Sequence, residues 1–419
     1  MKLNLDEFSY RNGTLHAEKV PLDKIAQEVG TPCYVYSKKA LLDSFMKFQK
    51  GLNSIDHLIC FAVKSNSNLT ILRLLHEAGA GMDIVSYGEF FRTLKAGIPP
   101  AKTVFSGVGK TEFEMRAALE QGVFSFNVES TEELVALNQV ALSIGKQAPV
   151  ALRFNPDVNP KTHPYISTGL KKNKFGMNLV EILKTVKKNE TYTGIKIKGL
   201  SIHIGSQILS LAPVQEAFQK TKILIHKINS LLPEPLSFVD LGGGIGISYA
   251  GEKPPSIEKY CQLILKYFGC DLKVLIEPGR VITGNAGILL ARGLYRKKRG
   301  GKDFFIIDAG MNDLMRPSLY QSHHEIIPVS QTKGPVKKTD IVGPICESAD
   351  CFAHERKFPT QVDRNDWVAI LSSGAYGFSM SNQYNSRPRP AEVLVDGAEY
   401  KIIRKRETFE DLIRGEVFS

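Results

Sequence analysis

The chain has 419 residues, 43% apolar and 23% charged, proportions that support a sizeable buried core and exclude a disordered chain. Lys and Arg exceed Asp and Glu by 54 to 43, but the basic run Arg296-Lys297-Lys298-Arg299 lacks interleaved aromatics or a nucleic-acid-binding motif, so the excess reads as solvated surface, with no nucleic acid and no membrane as partner. Six cysteines (Cys33, Cys60, Cys261, Cys270, Cys346, Cys351) without a C-x-x-C, a first twenty residues without an apolar core, and no run of eighteen apolar residues predict reduced thiols, no signal peptide, no membrane span and a cytoplasmic location.

The length suits a barrel of about 250 residues with a companion of about 150. Between about residues 57 and 277, short β-rich runs alternate with amphipathic helical segments, the pattern of parallel strands with crossover helices. The predicted strands are HLICFAV, GMDIV, TVFSG, FSFNV, PVALRFN, GLSIHIG, SFVDLG and KVLIEPG. Helices are predicted over Leu69–Ala78, Gly88–Ala96, Glu112–Glu120, Thr131–Ser143, Leu179–Lys188, Pro213–Leu232 and Ile257–Phe268, with Ser130 and Glu133 offering a capping box to the fourth. Eight such units point to a TIM (β/α)8 barrel, with residues 31–285 as its extent.

Beyond Arg280 the texture changes to β runs: GILLARGLY, DFFIIDAG, TDIVGPI, WVAILSSG, AEVLVDG and EYKIIRKR, then a short helix near Phe409–Arg414. These predict a second, mainly β domain of sandwich or barrel type, made of residues 1–30 and 286–419. A long segment, RFNPDVNPKTHPYISTGLKKNKFG (153–176), interrupts the barrel rhythm after the fifth strand, and a connection of that length is usually functional or mobile.

A TIM barrel carries its active site at the C-terminal ends of the strands. The first strand ends in Lys64, either a side chain snorkelling to the rim or a desolvated amine suited to a Schiff base. The sixth ends in His203 followed by Ser206; the imidazole is either a packed core residue or a flat surface for a planar cofactor. Gly242–Gly244 follow the seventh strand, where glycines make either a tight turn or a cradle of N–H groups for phosphate. The eighth ends Glu277-Pro278-Gly279-Arg280, extending that neighbourhood and adding an acid that could keep a pyridine nitrogen protonated. Two patterns are set aside: GVGKT (107–111) has Val104 where a P-loop needs its leading glycine, and His323, His324 and Glu325 lack the i, i+4 spacing of a helical zinc site.

With Lys64, HIGSQ, GGGIG and EPGR in this order, the chain resembles the alanine-racemase-like barrel family of pyridoxal-phosphate decarboxylases. Within it, DAGMNDLMRPSLY, GPICESAD, GAYG, NVES and THPYISTG…KFG resemble the diaminopimelate decarboxylases. The resemblance implies pyridoxal 5'-phosphate as cofactor, linked covalently to Lys64, stacked by His203 and paired at its ring nitrogen with Glu277. Ser206, Gly243, Gly244, Gly279, Arg280 and Tyr376 would hold its phosphate. Arg280, Arg316, Tyr320 and Tyr376 would meet the substrate, the arginines gripping a distal carboxylate with guanidinium forks. Cys346, as proton donor, and Glu347, reading the distal ammonium, would enter from the other subunit of a homodimer, and Asp83 falls in a matching stretch. The implied reaction is loss of CO2 from meso-diaminopimelate to give L-lysine. The alternatives are an ornithine- or arginine-type decarboxylase of the same fold and a non-catalytic regulatory homologue. One departure stands out: Tyr87 in SYGE (86–89) occupies a position where the family commonly has glycine.

Overall fold

The structure, a computed structural model, describes residues 7–159, 173–269 and 272–418. The chain divides into two compact units, one of residues 44–247 and 253–281, the other of residues 1–43, 248–252 and 282–419.

The first unit is a closed barrel of eight parallel strands: His57–Ala62, Gly81–Ile84, Thr103–Phe105, Ser125–Val128, Ala148–Phe154, Ile195–Ile202, Phe238–Asp240 and Lys273–Ile276. Parallel strands covered on both faces read as nearly unbroken apolar runs, which is why all eight were legible. Cys60, Val104, Ala151, Phe238 and Leu275, from the first, third, fifth, seventh and eighth strands, pack together, so the barrel is filled by side chains. Gly199 makes room for the Phe238 ring, since a Cβ there would lie 2.5 Å from it.

The crossover helices run Leu69–Glu77, Tyr87–Lys95, Glu112–Gln121, Thr131–Ser143, Leu179–Lys187, Leu211–Asn229 and Ile257–Phe268. Their starts are set by side-chain caps. Thr111 with Glu114 and Asn178 with Glu181 form full capping boxes. The box predicted at Ser130 is only half made. Ser130 Oγ accepts the Glu133 N–H at 3.1 Å, but the Glu133 carboxylate binds the Glu129 N–H with one oxygen and Lys110 with the other. Tyr87 needs no glycine geometry: Ser86 is the extended cap and Tyr87 opens the helix, its ring against Phe113 at 4.9 Å.

The second unit centres on a sheet in the order Cys351–Pro359, Val336–Val342, Lys302–Ile307, Gly287–Arg299, Cys33–Ser37, Ala391–Asp396, Glu399–Arg404. The thirteen-residue strand Gly287–Arg299 joins its halves. Its start pairs with Cys33–Ser37 and Trp367–Ile370, and its end with Lys302–Ile307. Cys33–Ser37 therefore belongs to this unit and not to the barrel, which corrects the expected barrel extent of residues 31–285. A fully buried CYVYS run looks the same in either setting, and only its pairing with Gly287–Arg299 and Ala391–Asp396 decides. Residues 248–252 and 282–285 likewise fall in this unit. Phe8, Leu15 and Ile25 from the N-terminal segment share its core with Ile288, Leu290 and Val393. Among the described residues no helix is long and apolar enough to cross a membrane.

Candidate active site

At the C-terminal mouth of the barrel lies a cavity of ≈ 190 Å³ lined by Lys64, Ser106, Asn127, Arg153, His203 and Glu277 among others. Lys64 sits on the single turn Val63–Ser65 that leaves the first strand, and its Nζ is 2.6 Å from Asp83 Oδ2 at the end of the second. The Lys64 side chain is 35% exposed and Asp83 is fully buried. A buried carboxylate is tolerated when a cation compensates it, so Asp83 fixes the amine at the cavity. The other oxygen, Asp83 Oδ1, is buried with no hydrogen-bond partner.

The Glu277 carboxyl lies opposite in sequence but in the same cavity. Its Oε1 accepts from Ser106 Oγ at 3.3 Å and from Asn127 Nδ2 at 3.2 Å. Burial, then the negative charges of Asp240 and Asp83, push it well above the usual carboxylate range, with Lys64 opposing. His203 is held neutral: burial, then the positive Arg153 and Lys64, pull the ring well below the usual histidine range. Its Nδ1 accepts the Gly243 N–H at 3.2 Å, which leaves the proton on Nε2.

The glycine turn after the seventh strand is a close approach of backbones. A Cβ at Gly243 would lie 2.1 Å from the Glu277 carbonyl oxygen, and one at Gly244, where φ is +107°, 2.2 Å from that of Gly205. At Gly279 it would meet Ser65 Oγ at 2.9 Å. Nearby, Arg280 Nη2 donates to Ser206 Oγ at 3.0 Å. An amine, a neutral flat imidazole, a buried acid and a turn where any side chain would collide are the features that pyridoxal phosphate requires, so the residues present fit that cofactor.

The remaining predicted residues lie in the second unit. Arg316 and Tyr320 are one turn apart on the helix Arg316–Tyr320. The buried Arg316 guanidinium faces the Tyr249 ring at 5.0 Å and the Tyr320 ring at 5.8 Å, and Nη2 donates to Ser322 Oγ at 3.1 Å. His324, set aside as a metal ligand, is buried against the same guanidinium, 3.4 Å from Arg316 Nε. Cys346 and Glu347 are exposed on a turn tied down by Asp350, whose oxygens accept the N–H groups of Ile345 and Met311 at 2.7 and 2.6 Å. Tyr376, at φ +55°, lies in a turn where a Cβ on Gly374 would lie 1.9 Å from the Thr283 carbonyl oxygen. THPYISTG (162–169) lies outside the described residues, as does Cys270.

Four further residues at strand ends contribute polar side chains to the site. Ser106, Asn127, Arg153 and Asp240 each sit at or beside the end of an apolar barrel strand, and a single polar residue in that place was the available signal. Arg153 pairs with Glu129 and faces the Phe175 ring at 4.9 Å. Glu89, whose Oε2 accepts the Val85 N–H at 2.8 Å, is pushed up to about 7, chiefly by burial. Lys110 of GVGKT is buried, its Nζ donating to the carbonyls of Gly107 and Asn127 at 2.7 and 2.8 Å, and so it fastens two strand ends together.

Residues 39–284 match the family described as pyridoxal-dependent decarboxylase, pyridoxal binding domain. The chain is 46% identical to a diaminopimelate decarboxylase of Aquifex aeolicus over 406 residues, covering 96% of both chains. It is also 46% identical to one of Pseudomonas aeruginosa over 415 residues, covering 98% of this chain and 99% of the other. Among solved structures, a diaminopimelate decarboxylase of Helicobacter pylori complexed with L-lysine aligns with a TM-score of 0.90 and 42% identity, covering 94% of this chain and 98% of that one. One from M. jannaschii, also in complex with L-lysine, aligns with a TM-score of 0.93 and 35% identity over 100% and 99%. By this likeness over nearly its whole length, the chain belongs to the pyridoxal-dependent decarboxylases and, within them, to the diaminopimelate decarboxylase family.

Proposed function

We propose that the chain decarboxylates meso-diaminopimelate to L-lysine at the barrel mouth, working as a homodimer in the cytoplasm. The observation that carries this reading is the meeting of Lys64, His203 and Glu277 in one cavity of a chain with this ancestry. When bound, pyridoxal phosphate supplies the electron sink for the pair left behind as CO2 departs. Lys64 provides the amine that anchors the cofactor, held in place by Asp83. Neutral His203 offers a flat face without adding a competing cation. Glu277 holds the proton that the ring nitrogen needs. Ser206, Gly243, Gly244, Gly279, Arg280 and Tyr376 take the phosphate, with Arg280 already hydrogen-bonded to Ser206.

Arg316, with Tyr320 and Arg280, grips the distal carboxylate. A guanidinium laid against tyrosine rings is pre-oriented and loses little freedom on engaging a carboxylate bidentately. Cys346 and Glu347, exposed on their turn, act in the partner subunit's site, Cys346 returning a proton to the carbon and Glu347 reading the distal ammonium.

The test is CO2 release from meso-diaminopimelate, ornithine and arginine in parallel. Turnover of diaminopimelate is expected; turnover of ornithine alone overturns the substrate assignment. Arg316→Ala is expected to lower kcat/KM for diaminopimelate about 10- to 100-fold, the loss of one or two charge-assisted hydrogen bonds, while the visible band of the bound cofactor is unchanged. Gly244→Ala is expected to weaken cofactor binding by at least about tenfold and to cost roughly 1–3 kcal/mol of stability, read by cofactor titration and thermal melting. Its φ and its contact with Gly205 both forbid the new methyl. Undiminished binding would remove the glycine turn from the phosphate site.

A further inference from the structure

Asp240, the last residue of the seventh barrel strand, is fully buried. A carboxylate there requires fixed donors, and it has two. Oδ2 accepts from Asn127 Nδ2 at 2.8 Å, and Oδ1 accepts the Gly242 N–H at 3.0 Å. Both residues also hold Glu277. The same Asn127 nitrogen reaches Glu277 Oε1 at 3.2 Å, and the Gly242 carbonyl accepts the Glu277 backbone N–H at 2.7 Å. Glu277 is therefore tied at side chain and main chain by two groups that Asp240 fixes. The Gly242 turn has no slack, because a Cβ there would lie 2.4 Å from the Ile202 carbonyl oxygen. The negative charge of Asp240 is also one of the causes, after burial, that push the Glu277 carboxyl up.

We propose that Asp240 is a positioning residue for this site: through Asn127 and the Gly242 turn it sets where the Glu277 carboxyl meets the ring nitrogen of pyridoxal phosphate. The inference rests on the reading of Glu277 given above. With pyridoxal phosphate bound, Glu277 would give its proton to the ring nitrogen and be left as carboxylate, with Asp240 holding its two partners in place. Other ionisable groups act on this pair from neighbouring elements: Lys64 and Cys60 from the first strand and its turn, Asp83 from the second, and Tyr260 from the helix Ile257–Phe268. Asp83 is already paired with Lys64, which leaves Asp240 as the acid whose hydrogen-bond partners, Asn127 and Gly242, also bind Glu277.

The experiment uses the full chain stripped of cofactor. Pyridoxal phosphate is titrated into wild type, Asp240→Asn, Glu277→Gln and the double variant, and the infrared carboxyl band that Glu277→Gln removes is followed in each. Asp240→Asn is expected to weaken cofactor binding at least about tenfold in wild type but less than about twofold when Glu277 is already Gln, because the effect runs through that carboxyl. The Glu277 carboxyl band, present in wild type at neutral pH, is expected to shift in frequency in Asp240→Asn, because the carboxyl loses its fixed position while burial and Asp83 still keep it protonated. Should Asp240→Asn not fold, Asn127→Ser, which spares both carboxyls, is expected to show the same dependence on Glu277. Equal weakening in both backgrounds, or an unchanged band, overturns the positioning role and marks Asp240 as structural alone. Wild type that binds no pyridoxal phosphate overturns this inference together with the proposed function; wild type and Asp240→Asn binding equally well overturns this inference only.

Discussion

Replacing Lys64 by alanine is expected to lower diaminopimelate turnover by at least about 10³-fold and to abolish fixation of the cofactor by borohydride. Two effects are folded into that variant, and they separate. The first is chemical: the amine that anchors the cofactor is gone. The second is electrostatic. Asp83 is fully buried, its Oδ1 has no hydrogen-bond partner, and Lys64 lies 2.6 Å from its Oδ2, so alanine leaves the carboxylate without that cation at a cost of about 1–3 kcal/mol. Lys64→Arg keeps a positive charge near Asp83 but offers no amine for an aldehyde. It is expected to melt near wild type and still fail to turn over, whereas Lys64→Ala fails in both respects. Asp83→Asn in the Lys64→Ala background should restore stability and leave activity lost. A Lys64→Arg protein that retains borohydride-fixable cofactor would remove Lys64 from its assigned place.

The barrel was legible because its physics is repetitive. Each strand is covered on both faces, so it reads as an apolar run closed by a polar residue, and each crossover helix begins at a capping side chain such as Thr111 or Asn178. The second unit was harder. Cys351–Pro359 was missed because HERK in its middle breaks the alternation, with Glu355 at positive φ on a strand at the sheet's end. Cys33–Ser37 was assigned to the wrong unit because burial of every residue in the run carries no information about which strands it joins.

The site was legible in proportion to how unusual each residue is for its position. Lysine, triple glycine and EPGR stand out at strand ends. Asp240, Asn127 and Ser106 do not, since one polar residue after an apolar run is ordinary. What makes them part of the site is convergence: the third, fourth, seventh and eighth strands bring them within 3.3 Å of Glu277 or of one another, and no sequence spacing encodes that closure. Lys110 shows the converse. GVGKT drew attention as a motif, yet its lysine serves to fasten backbone carbonyls beside the cavity.

Glu277→Gln is expected to cost about 10²- to 10³-fold in turnover, the scale of losing one pre-organised charged group at the reacting centre, and to change the stability of the cofactor-free protein in the opposite direction. In the unfolded chain a glutamate ionises near about 4.3. In the folded chain burial beside Asp240 and Asp83 keeps the Glu277 proton to well above that. Between the two midpoints the folded state binds the extra proton, so stability falls as pH rises through this window and is fully present only below it. Glutamine cannot ionise and removes that loss. Cofactor-free Glu277→Gln is therefore expected to melt above wild type at neutral pH, with the gap closing towards pH 4. Pyridoxal phosphate should reverse the order. A protonated ring nitrogen stabilises the Glu277 carboxylate, so the cofactor raises the wild-type melting temperature more than that of the variant. Melting curves of both proteins, with and without cofactor from pH 4 to pH 8, test the whole chain of reasoning. A gap that does not vary with pH, or equal stabilisation by the cofactor, would show that the Glu277 carboxyl neither keeps its proton in the folded protein nor gives it to the ring.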